Sequence, residues 1–198
     1  MNYQSTKVIE LGSCAFRQWR ASHSHCRFLH GYQLIAKLWF GGTELDDKNW
    51  VIDFGGLKEL KGKLQHVFDH TTCIAADDPE LETFKELDRK GLIQLRVFEK
   101  GVGIERVAEE VYRIASEHIK EIAGDRCWVE KVECFEHEDN SAIYTPSKAG
   151  IALSEPVLAQ ETITVNYTQP AAPAKLGANV GSNVSQGMGN LFSGTSWG

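Results

Sequence analysis

Ile104, Val107, Ala108, Val111, Ile114, Ala115, Ile119 and Ile122 recur at three- and four-residue steps, and Gly124 stands where such a helix would end. A long helix with one apolar stripe must lie on an apolar surface. Tyr32, Leu34, Ala36, Leu38 and Phe40 alternate with Gln33, Ile35, Lys37 and Trp39, the two-residue period of a strand with one buried face. The chain is therefore an α+β protein. Residues 5–20 pair with 32–42 as strands. Leu57, Leu60, Leu64 and Val67 predict a second amphipathic helix that starts after Gly55-Gly56 and ends near Asp69-His70. A short charged helix over 77–90 leads into a strand at 92–99. Two further strands follow the long helix, at 126–136 and 141–145.

With 198 residues and 42% hydrophobic content, the chain supports one good core plus an appendage. The boundary falls at Pro146. Residues 1–146 form the domain, and 147–198 form a Gly/Ala/Ser/Asn-rich low-complexity tail whose charges are Lys148, Glu155, Glu161 and Lys175. Ile163-Val165 can add an edge strand. Leu191, Phe192 and Trp197 suit either a docking peptide for a protein partner or a flexible end with incidental aromatics.

No apolar run reaches the roughly twenty residues of a spanning helix, and the first residues lack the apolar core of a secretory signal. These features predict a cytoplasmic protein without a membrane role. Five cysteines with no C-x-x-C pair read as reduced thiols. A net charge of -6 argues against general nucleic-acid binding. Residues 1–40 run against that trend, with Lys7, Arg17, Arg20, Arg27 and Lys37 opposed by Glu10 alone. A small polyanion site and a solvated basic strand face both account for this.

Three places attract chemistry. Cys26-Arg-Phe-Leu-His30-Gly-Tyr32 sets a thiol and an imidazole beside a turn glycine at the mouth of a strand, upstream of Trp50-Val-Ile-Asp53-Phe54-Gly-Gly-Leu-Lys58. Asp69-His70 joins a carboxylate to an imidazole, an arrangement that raises basicity and fixes a tautomer. Glu136 lies inside the strand Val132-Glu-Cys-Phe-Glu-His137. Each residue also has a plain structural reading: a buried cysteine, a histidine favoured at a helix C-terminus, an ordinary strand carboxylate.

Taken together, these segments resemble the T-fold enzymes of the 6-pyruvoyltetrahydropterin synthase and 6-carboxytetrahydropterin synthase family. The resemblance covers residues 8–145 and rests on Cys26 to Tyr32, Trp50 to Lys58, Phe68-Asp-His70, Glu105 at the second long helix, and Glu136 followed by Ala142-Ile-Tyr144. It implies a four-stranded antiparallel sheet with two helices on one face, assembling through strand pairing into a barrel as a trimer or hexamer with sites between subunits. It further implies 7,8-dihydroneopterin triphosphate as substrate, loss of triphosphate, and a place in pterin or queuosine/7-deazaguanine synthesis. By the same resemblance Cys26 is the proton-transferring base, Asp69 and His70 assist it, Glu136 anchors the pterin with Glu105 nearby, and zinc is held by three histidines. At those three positions this chain carries Phe16, from Cys14-Ala-Phe-Arg17, then His30, then Tyr32. Phe16 and Tyr32 are expected to stack beside His30 where an ion would sit, with His23 and His25 as substitute ligands. The connection over 71–100, between His70 and Glu105, is longer than compact members carry and is expected to supply a lid or contact surface.

Overall fold

A computed structural model describes residues 3–147. The chain divides into Met1–Glu161 and Thr162–Gly198, and every described residue belongs to the first unit. The expected tail beyond Ser147 lies outside the described residues.

Nine elements follow in order: β1 (Tyr3–Phe16), β2 (His30–Gly42), α1 (Lys58–Phe68), β3 (Thr71–Ala75), α2 (Leu81–Arg89), β4 (Leu95–Phe98), α3 (Ile104–Ala123), β5 (Cys127–His137) and β6 (Asn140–Tyr144). They build one six-stranded sheet in the order β4-β3-β1-β2-β5-β6. The antiparallel set β1-β2-β5-β6 matches the expected four strands. The sheet is nevertheless mixed, because β3 pairs parallel to both β1 and β4. Among the described residues there are three α-helices where the resemblance implied two, the third, α2, being the short charged helix read over 77–90.

The reason β3 escaped the sequence reading is physical. All five of its residues are buried, so it carries no alternation to detect, as is usual for parallel strands covered on both faces. The connection over 71–100 thus forms a parallel strand-helix-strand unit. Its own cluster of Ile74, Phe84 and Leu95 holds α2 against β3 and β4. Arg17 bolts it to the end of β1, donating through Nε and Nη2 to the fully buried Asp78 carboxylate at 2.7 and 2.6 Å. Arg20 likewise pairs with Asp77. The basic opening segment and the acidic segment after residue 76 therefore neutralise each other. Lys7, Arg27 and Lys37 lie over the rings of Phe54, Phe28 and Trp39, so the solvated-face reading of this charge fits better than a polyanion site.

The main core lies between the sheet and two helices. Leu34, Leu38 and Phe40 of β2 meet Leu60 and Leu64 of α1 and Val107, Val111 and Ala115 of α3. Asp53 starts α1 by accepting the Gly55 N–H at 2.7 Å, which sets the turn before Lys58. Gly124 ends α3 in the left-handed region at φ 59° and donates its N–H to Lys120 O. Ile122, expected on the buried stripe, is half exposed because it sits in the last turn of α3. Among the described residues no helix is long and apolar enough to cross a membrane.

His118 of α3 is 2% exposed, with Nδ1 3.3 Å from Lys63 Nζ and with Nε2 lacking a partner. Burial pushes its pKa below the ordinary histidine range, Lys63 adds to that, and Glu59 and Glu121 oppose it. The folded state holds this ring neutral while the unfolded chain takes up a proton near pH 6.5. Its contribution is complete above that pH and is lost as pH falls through 6.5 toward the lower folded value. Urea unfolding between pH 7.5 and 5 is expected to show a decline of up to about 1.4 kcal/mol per pH unit from this group, reduced in His118→Gln.

Candidate active site

The β1-β2 register pairs Phe16 with His30 and Cys14 with Tyr32, so Phe16, His30 and Tyr32 share one face. Their rings meet. Phe16 and His30 lie 5.2 Å apart, His30 and Tyr32 5.3 Å apart at 90°, and Phe16 and Tyr32 5.8 Å apart. Phe16 is fully buried. His30 Nδ1 lies 2.7 Å from the Phe28 carbonyl, which only accepts, so Nδ1 carries a proton and Nε2 keeps its lone pair in the neutral ring.

Two carboxylates and a thiol stand around this stack. Burial raises the Glu136 pKa and Glu105 raises it further, while His30 draws it down. Burial also raises the Tyr32 phenol, and Glu136 and Cys26 push the same way. Within one chain Glu136 therefore feels His30 and Glu105, and Tyr32 feels Glu136 and Cys26. Gln18 joins them without any signal in the sequence. Its backbone N–H donates to Cys26 O at 2.8 Å, and its side chain packs on Gly103 at the start of α3, where a Cβ would lie 2.6 Å from Gln18 Nε2 and 3.4 Å from Glu105 Oε2. Only the fold brings these three segments together.

Asp69 and His70 stand elsewhere. The Asp69 carboxylate accepts the Ser13 N–H at 3.1 Å and lies 2.9 Å from His70 Nδ1. His70 adopts φ 57°, a left-handed backbone that a side chain seldom takes, donates its N–H to Ser13 O at 2.7 Å, and leaves its imidazole 81% exposed. Among the described residues no hydrogen bond or ion pair joins this couple to Cys26, His30, Glu105 or Glu136. The proton-transfer set expected from the sequence is not assembled within one chain. Gly12 makes room for the couple: it interrupts the β1-β2 register at φ 107°, and a Cβ there would fall 2.2 Å from Asp69 Oδ1. Gly12→Ala is accordingly expected to cost about 2–4 kcal/mol in a denaturant titration, from backbone strain and displacement of Asp69.

The motif from Trp50 to Phe54 lines a cavity of about 570 Å³ with Tyr3, Gln4, Ser5 and Leu45. Tyr3 pairs with Gly42, at the opposite end of the β1-β2 ladder from Phe16 and His30.

Residues 10–147 match the model of the family described as 6-pyruvoyl tetrahydropterin synthase. The chain belongs to that family. It is 35% identical over 57 residues to the 6-carboxy-5,6,7,8-tetrahydropterin synthase of Rickettsia conorii, a stretch covering 28% of this chain and 41% of that protein. The corresponding Rickettsia bellii protein is 32% identical over the same shares. The matched stretch spans about two fifths of these curated relatives. In fold, the chain resembles an uncharacterized protein from Wolinella succinogenes, with TM-score 0.63, 21% identity and coverage of 74% and 99% of the two chains. It also resembles Plasmodium falciparum 6-pyruvoyl tetrahydropterin synthase, with TM-score 0.55, 16% identity and coverage of 73% and 98%.

Within this tetrahydropterin synthase family member, the ring stack does not suit the zinc ion that the family implies. A catalytic zinc takes three protein ligands and keeps one position open. Phe16 offers no lone pair, and the Tyr32 phenol, pushed up by burial and two neighbouring acids, keeps its proton at neutral pH. That leaves His30 alone. His23 and His25 are exposed and do not converge with it. Among the described residues, the one group of His, Cys, Asp or Glu side chains with converging ligand atoms is His137, Glu138 and Asp139, all exposed at the β5-β6 turn.

Proposed function

We propose that this protein is a 6-pyruvoyl/6-carboxytetrahydropterin synthase-like lyase that takes 7,8-dihydroneopterin triphosphate, or a close dihydropterin, with loss of triphosphate. The gathering of Glu136, Glu105, His30, Tyr32 and Cys26 in one chain carries this reading. A carboxylate matches two parallel N–H donors, so Glu136 receives the amino-pyrimidine edge of the pterin. Tyr32, backed by the buried Phe16 ring, presents a ring face and an O–H donor beside it. Cys26, at the rim of the same cluster, moves the proton on the pterin side chain.

Asp69 and His70 act on a neighbour's substrate in this reading. Their exposure between α1 and β3, beside Ser13 of β1, suits a site completed by a second copy in a trimer or hexamer. The chain lacks the ligands to polarise the side-chain hydroxyl through zinc, so turnover rests on the thiol, the imidazoles and the acids alone. Incubation with 7,8-dihydroneopterin triphosphate, followed by chromatography of pterin and triphosphate, tests the proposal. Substrate binding with triphosphate release is expected; absence of both binding and release would overturn it.

One observation favours a second reading. With Phe16 and Tyr32 packed where the family places metal ligands, the protein serves as a pterin-binding or assembly module, its tail over 147–198 engaging a protein partner. Tight binding of the dihydropterin without release of triphosphate decides for this alternative.

A further inference from the structure

We propose that Cys14 and Cys73 form a reversible intramolecular disulfide when the protein meets a hydroperoxide. The two sulfurs lie 3.4 Å apart, on neighbouring parallel strands whose register pairs Cys14 with Thr71 and Phe16 with Cys73. Cys14 and Cys73 therefore stand diagonally on one face. The sulfurs need to close by a little over an ångström to reach a bonded separation, by side-chain rotation together with a small adjustment of the two strands. All five cysteines are free thiols in this structure, and this is the pair whose sulfurs touch.

The two thiols are unlike, which gives the reaction a direction. The contact with Cys73 sulfur and, with it, the nearby Arg96 hold Cys14 below the ordinary thiol range despite burial. Cys73 is pushed well above that range by Cys14 and by complete burial. Cys14 is thus the nucleophile and Cys73 the resolving thiol. The Cys14 thiolate attacks one peroxide oxygen, the O–O bond breaks, and the product is Cys14 sulfenic acid plus hydroxide, which takes up a proton. Cys73 sulfur then attacks Cys14 sulfur, expelling the sulfenic oxygen as water while its own proton leaves. Two thiols and one hydrogen peroxide give one disulfide and two waters. A dithiol reductant reverses the change.

The link would fasten β1, two residues before Phe16, to β3, three residues after His70. It would tie together the two separate parts of the candidate site and close a long loop in the unfolded chain. Both sulfurs are almost fully buried, so a small oxidant reaches them more slowly than it reaches the partly exposed Cys26, which serves as an internal comparator.

The test is peroxide treatment of the full chain, denaturing alkylation with iodoacetamide, and non-reducing peptide mass spectrometry. The expected product is a cross-linked peptide pair containing Cys14 and Cys73 that dithiothreitol dissolves. Oxidised protein should melt about 5 °C or more above the reduced form. In Cys73→Ser the first step has no resolving thiol, and dimedone should capture sulfenic acid at Cys14. If Cys14 and Cys73 stay fully alkylatable after peroxide exposure prolonged well beyond complete oxidation of Cys26, the proposal fails. That measurement uses the unaltered chain, so the result holds even where a cysteine variant folds poorly. It is also independent of pterin turnover.

Discussion

The double variant Phe16→His/Tyr32→His is expected to bind one zinc ion per chain at least about a thousandfold more tightly than the unaltered protein. The backbone already places three side chains on one face, with ring centroids 5.2 to 5.8 Å apart and His30 Nε2 bearing a lone pair. What is missing is donor chemistry at two of the three positions. Replacing a fully buried phenylalanine by histidine removes apolar contact, so the metal-free variant should lose about 2–4 kcal/mol and regain stability when zinc is added. Elemental analysis after dialysis, with chelator competition, measures the affinity. Stoichiometric zinc in the unaltered protein, removed by His30→Ala, would contradict the account of the ring stack.

Glu136→Gln is expected to weaken dihydropterin binding by about 100- to 1000-fold, from the loss of one charge-assisted hydrogen bond, the weakening of the other and a donor facing a donor. An amide of the same shape offers one acceptor and one donor where the heterocycle presents two donors. Fluorescence titration reads the effect, and an unchanged melting curve separates it from misfolding. The pH dependence carries a second signature. Burial and Glu105 raise the Glu136 pKa, so the carboxylate needed for binding is complete at high pH and disappears as pH falls through that raised value. Binding should weaken in acid for the unaltered chain, and this dependence should vanish in the glutamine variant. Equal affinity in both proteins would remove Glu136 from the binding role.

The elements most easily read from the sequence are those with one buried and one open face. The stripe on α3 and the alternation on β2 announce themselves because each side of the element has its own composition. β3 has no open side and so offers no alternation to detect, whereas the strand read over 92–99 is found as the shorter β4. The meeting of Phe16, His30 and Tyr32 was legible because strand pairing fixes which residues oppose each other. The separation of Asp69 and His70 from Cys26 was not. Motif order along a chain carries no information about which copy of an oligomer supplies each motif, and Gly12, which seats Asp69, is one unremarkable letter in a strand.

The outer border of β1 is occupied only over part of its length. Gln65 takes the Glu10 carbonyl, Asp69 and His70 take Ser13, and β3 takes Cys14 to Phe16, while among the described residues Tyr3 to Ile9 has no such partner on that side. An incoming ribbon from another copy would find a slot closed at one end. It could not slide past Glu10, so a shift by one residue toward that stop, which would turn every side chain to the wrong surface, is blocked.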